Sequence, residues 1–144
     1  MTLDLGRLMD RSEEIWESSI LPSLSDFIGI KALSPLFEPN WAEMGELDAT
    51  IELFCEWLDD QGIAGMSYEK HRIGELSPVL IVTIEGTGPG EVIFYSHLDK
   101  QPSKPELWSE GLHPLKAVRR DPWLYGRGSV DDGYGGYLCA TSVR

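Results

Sequence analysis

The chain has 144 residues, enough for one domain with its own hydrophobic core. Its 24 acidic side chains outnumber 12 basic ones, and the formal net charge of -12 repels phosphate backbones and anionic lipid, which argues against nucleic acid and membrane as partners. No stretch approaches the ~18 consecutive apolar residues of a membrane span, and the N-terminus lacks the basic start and apolar run of a secretory signal, so a cytoplasmic location is the default expectation.

From Asp4 to about Ile30, apolar residues recur at helical spacing: Leu5, Leu8, Met9, Ile15, Trp16, Ile20, Leu24 and Phe27. Pro22 is expected to kink this run or split it in two. Lys31 to Asn40 holds Pro35 and Pro39 and reads as an ordered loop. A helix is expected from about Trp41 to Gln61, with Leu47, Ile51, Phe54 and Leu58 as its apolar stripe and Glu46, Glu52, Glu56 and Asp59 facing water. Gly62 supplies its stop. The period then changes. Met66 to Ile73 predicts a first strand and the β-branched run Val79 to Ile84 a second. After the turn residues Gly86 to Gly90, Glu91 to Tyr95 is expected as a third strand, apolar enough to be buried on both faces. Trp123 to Tyr125 is a short extended piece, and a last helix is expected from about Asp132, with Tyr134, Tyr137, Leu138 and Thr141 on one side.

Helices followed by strands and a further helix predict a layered α/β domain. Three strands and one late helix are thin cover for a sheet, and the last helix reaches Arg144 without a cap. The expectation is therefore a chain cut short within an element. Cys55 and Cys139 both sit in apolar helical patterns and read as reduced core residues.

Two segments carry the chemistry. In Tyr95-Ser96-His97-Leu98-Asp99-Lys100-Gln101-Pro102, an expected strand empties into a loop, the place where α/β sheets bind ligands. His97 and Asp99 are two apart, so extended backbone projects both to one side. His97 can then offer a ring nitrogen to a metal while Asp99 orients or polarises the ring. Alone, such a pair also fits an ordinary surface loop. The second segment, Leu124 to Gly136, sets glycines on both sides of Asp131-Asp132. One aspartate suits the N-cap of the following helix, which leaves the other unexplained. A phosphate loop is a poor fit, because the lysine is missing and paired carboxylates repel phosphate.

Taken together, the two segments resemble the M20 family of zinc metallopeptidases, which includes carnosine-type dipeptidases and amino-acid deacylases. The resemblance rests on His97-Leu98-Asp99, Gln101-Pro102, a Trp108-containing loop, and Leu124-Tyr125-Gly126-Arg127-Gly128-x-x-Asp131-Asp132, in matching order and spacing. It covers essentially the whole chain and implies a three-layer αβα zinc-exopeptidase-like catalytic domain, with residues 1–144 as its incomplete N-terminal part. The resemblance further implies that His97 binds one of two zinc ions and that Asp131 bridges both, cobalt or manganese being alternatives to zinc. Asp99 would be the active-site carboxylate behind His97. Asp132 reads as a helix cap or a supporting residue, and Arg127 as a structural hydrogen-bond donor. The implied activity is hydrolysis of amide bonds in small peptides or N-acyl amino acids; the parts that would form a homodimer are absent here, which leaves the oligomeric state open.

The chain departs from the family pattern in carrying Gly133-Tyr134-Gly135 where many relatives have Lys-Gly, and in lacking the general-base glutamate pair and the remaining ligands. His97 and Asp131 alone fall short of the roughly three or four ligands a zinc site needs, so weak metal binding and no turnover are expected of this chain by itself. A non-catalytic truncated fragment is the alternative reading, and an interaction module using the acidic helix surface is a third. His71 reads as a solvated residue, His113 and Trp108 as loop residues, and neither Ser96 nor Cys139 has the neighbouring base a nucleophile requires.

Overall fold

The computed structural model describes residues 4–143. The first helical region is split as Pro22 predicts. Helix α1 (Leu5–Ile15) passes through a π-helical turn (Trp16–Ile20) into α2 (Leu21–Gly29), and Pro22 lies in the first turn of α2, where its missing N–H costs least. Leu5, Leu8 and Met9 are exposed, so the core-facing stripe begins only at Ile15 and Trp16 and is fully buried from Ile20 through Leu24, Phe27 and Ile28.

The expected long second helix is two helices. Gly45, at φ 68°, breaks it into α3 (Trp41–Met44) and α4 (Glu46–Asp60), because the left-handed conformation cannot continue a right-handed helix. Helix α4 buries Leu47, Ile51, Phe54, Trp57 and Leu58 and exposes Glu52, Glu56 and Asp59, as the stripe predicts, whereas Glu46 is half-buried. Gly62, at φ 59°, follows its C-terminus.

Strands β1 (Met66–His71) and β2 (Val79–Ile84) form an antiparallel hairpin in which Tyr68 pairs with Val82 and Met66 with Ile84. Alternation sends Met66, Tyr68, Leu80 and Val82 onto the core and leaves Val79 and Ile81 half-exposed. A second small antiparallel sheet joins β3 (Val118–Arg120) to β4 (Trp123–Tyr125). The fold is thus a mixture of helices and small antiparallel sheets.

The third expected strand is corrected. Glu91 to Tyr95 joins no sheet among the described residues, and Val92, Ile93 and Tyr95 are 80%, 89% and 83% exposed. A strand buried on both faces needs hydrogen-bonded neighbours and covering helices, and here nothing pairs with it.

Helix α5 (Gly133–Ser142) also turns differently from expectation: Gly133, Tyr137 and Ala140 are buried, while Leu138 is 55% exposed. Gly133 lies against Phe27 and Gly136 against Phe54, so the glycines meet the core together with Tyr137, and Leu138 does not. Tyr137 closes that core edge-on to Phe54 and Trp57, at ring separations of 5.1 and 4.7 Å. Its hydroxyl shares a 2.8 Å hydrogen bond with Ser23. Burial pushes the Tyr137 phenol up to about 12, against the smaller opposing effect of that bond. Tyr137→Phe is expected to cost about 1 kcal/mol, the worth of one such hydrogen bond. Urea denaturation checks this, and an unchanged midpoint would mean that the bond adds nothing. Cys55 is buried and Cys139 half-buried, and both are free thiols.

Candidate metal centre

Both candidate segments converge on the carboxyl end of α2. The glycine-rich segment reaches it by close backbone approach: a Cβ on Gly126 would strike Ile28, and one on Gly128 or Gly133 would strike the Phe27 ring. The His97 segment reaches it through Lys100. Its N–H donates to the Ala32 carbonyl at 2.8 Å, its carbonyl accepts the Ser34 N–H at 3.0 Å, and its ammonium is buried against the last carbonyls of α2.

The residues singled out from the sequence are brought together. His97 Nδ1 lies 3.0 Å from both the Asp99 carbonyl oxygen and Asp99 Oδ1, and His97 Nε2 lies 3.3 Å from Asp131 Oδ1. Both ring nitrogens therefore face acceptors, while a neutral imidazole carries only one proton. A second cation, proton or metal, is needed between the ring and one of its carboxylates. Partial burial works against the charged ring. The bond to the Asp99 carbonyl and the carboxylates of Asp99, Asp132 and Asp131 outweigh that, and the His97 pKa is raised above 6.5.

Asp132 stands at the N-cap position of α5, yet its side chain makes no capping bond. Instead, its Oδ2 accepts the His97 backbone N–H at 3.2 Å. The carboxylate expected to cap the helix thus ties the His97 backbone to the second segment. Gly135 makes room for it, since a Cβ there would meet Asp132 Oδ1 and Ser96 Oγ.

The Arg127 backbone N–H donates to the Pro114 carbonyl at 2.7 Å, and its guanidinium reaches the Pro102 carbonyl at 3.5 Å. Beside it lies a cavity of about 170 Å³ whose walls include Lys31, Gln101, Pro102, His113 and Arg127 but no carboxylate. His113 is exposed on that wall, its Nδ1 accepting the Leu115 N–H at 3.1 Å. His71 is exposed, and its Nε2 lies 2.9 Å from Glu69 Oε2.

Among the described residues no group of three or more His, Cys, Asp and Glu side chains is set to hold a metal ion. His97 and Asp131 are of the right donor type for zinc, but they are a pair. Sequence reading missed Lys100. A lysine in a polar loop is read as solvated, and the one available signal, the lack of a glycine cap after α2, points to no particular partner. No family model matches the chain, and no curated protein matches it.

Proposed function

We propose that this chain carries the first half of the metal centre of an M20-type hydrolase acting on amide bonds of small peptides or N-acyl amino acids. The observation that supports this best is the convergence of His97 Nε2 and Asp131 Oδ1 to 3.3 Å across 34 positions of sequence, with Asp99 behind the ring. Two acceptors aimed into one gap suit a cation. His97 and Asp131 would hold the ion, and Asp99 would keep the ring oriented. Zinc, or cobalt or manganese, would supply Lewis acidity toward an amide carbonyl and a water of lowered pKa. The cavity lined by Lys31, His113 and Arg127, positive in a chain of net charge -12, favours a substrate with a free carboxylate.

In this reading the exposed apolar residues Val92, Ile93 and Tyr95 would be covered by the rest of a three-layer αβα domain. The remaining ligands and the general base would lie outside residues 1–144. The chain alone is therefore expected to bind zinc weakly and to turn over no dipeptide. Calorimetric titration with Zn²⁺ tests the centre: His97→Ala and Asp131→Ala should each weaken binding at least about tenfold. Equal affinity in wild type and both variants would sink the proposal.

A further inference from the structure

The Asp99–Lys100 peptide unit is the pivot of the candidate centre. Its carbonyl oxygen lies 3.0 Å from His97 Nδ1, and its N–H donates to the Ala32 carbonyl at 2.8 Å. A peptide group is planar, so anchoring the N–H on one side aims the carbonyl on the other. The Lys100 side chain anchors it further. Lys100 is 1% exposed, and its Nζ donates to the carbonyls of Phe27 at 2.6 Å, Ile28 at 3.3 Å and Ile30 at 2.5 Å. The ammonium also lies 4.1 Å from the centre of the Phe27 ring. The last carbonyls of a helix lack intrahelical partners and favour a cation, and α2 ends at an extended Ile30 without a glycine cap.

We infer that Lys100 is the positioning residue of this centre. Its ammonium, seated in the carboxyl end of α2, fixes the Asp99–Lys100 peptide, which holds the His97 proton on Nδ1 and turns the Nε2 lone pair toward Asp131. Two acceptors of Asp99 face Nδ1, against one carboxylate oxygen at Nε2, so the geometry selects this tautomer. Lys100 itself is too enclosed to touch a substrate. The link to metal rests on the function proposed above, whereas the control of the His97 tautomer does not.

The test is ¹⁵N NMR of histidine-labelled, metal-free chain followed through the His97 titration up to about pH 8, to which burial lowers the pKa of the Lys100 ammonium, with His97 assigned by comparison with His97→Ala. Wild type is expected to carry its ring proton on Nδ1. Lys100→Met, similar in length but without donors, is expected to mix the two tautomers and to raise the zinc Kd about 10- to 100-fold. Leu58→Ala, a core change in α4, lowers stability without touching this peptide and should leave tautomer and zinc affinity as in wild type. If Lys100→Met does not fold, Lys100→Gln, which keeps two N–H donors but no charge and is shorter, takes its place with the same expectation. A wild-type ring protonated on Nε2, or a Lys100 variant with wild-type tautomer, overturns the inference. A variant that loses the Nδ1 tautomer in a chain that never binds zinc upholds the positioning role and overturns only the metal reading.

Discussion

Gly133→Ala is expected to destabilise the chain by about 3 kcal/mol and to disrupt the candidate centre with it. A Cβ at Gly133 would overlap both the Phe27 ring and the Gly128 carbonyl, at separations that real side chains do not show. Neither neighbour can retreat easily. Phe27 is 1% exposed and packed under the Lys100 ammonium, and Gly128 holds a φ of 90° that only glycine adopts without strain. The adjustment must therefore come from α5 moving off α2, which carries Asp131 and Asp132 away from His97. Gly29→Ala is the matched control, because a Cβ there meets nothing within 4 Å; it should stay within about 0.5 kcal/mol of wild type. Urea denaturation of the two variants measures the difference. Similar midpoints would mean that the close approach of α5 to Phe27 does not hold in solution.

The second large effect is on metal affinity as a function of pH. A metal needs the unprotonated His97 nitrogen, and the surrounding carboxylates raise the His97 pKa above 6.5. Zinc affinity is therefore expected to fall about tenfold for each pH unit below the raised pKa and to level off above it. The metal-free chain behaves oppositely. A histidine whose folded pKa is raised stabilises the fold most below its unfolded value of 6.5, and that contribution is lost as pH rises through the folded value. Asp99→Asn removes one of the charges that raise the pKa, so the break in the affinity profile should move to lower pH. Its plateau should also fall about tenfold or more as the ring loses a carboxylate partner. Calorimetric titrations across the pH range follow both effects. A profile that breaks at the same pH in wild type and Asp99→Asn would show that Asp99 does not set the titration of His97.

Much of the secondary structure was legible because it is written in short-range periodicity. The α4 stripe of Leu47, Ile51, Phe54 and Leu58, the β-branched run of β2 and the interruption near Pro22 all appear where spacing and propensity place them. The failures were of a different kind. Val92 to Tyr95 has the composition of a buried strand, but burial requires neighbours, and composition does not supply them. Helical spacing groups Leu138 with Tyr134 and Tyr137, yet Gly133 and Gly136 pack α5 so closely on Phe27 and Phe54 that Leu138 is left exposed. Gly45 divides a helix because its backbone turns left-handed, a choice that glycine permits but does not compel.

The candidate site divides along the same line. The order of residues alone marked His97-x-Asp99 and Asp131-Asp132 as candidates, since metal-ligand character and two-residue spacing are local properties. Only the tertiary structure decided that His97 Nε2 meets Asp131, that Asp132 binds the His97 backbone instead of capping α5, and that Lys100 is buried in the end of α2. Those contacts join residues 34 to 73 positions apart, and they exist because the glycine-rich segment and Lys100 both pack on Phe27. Packing of that kind depends on the shapes of several segments at once, and no one stretch of sequence contains it.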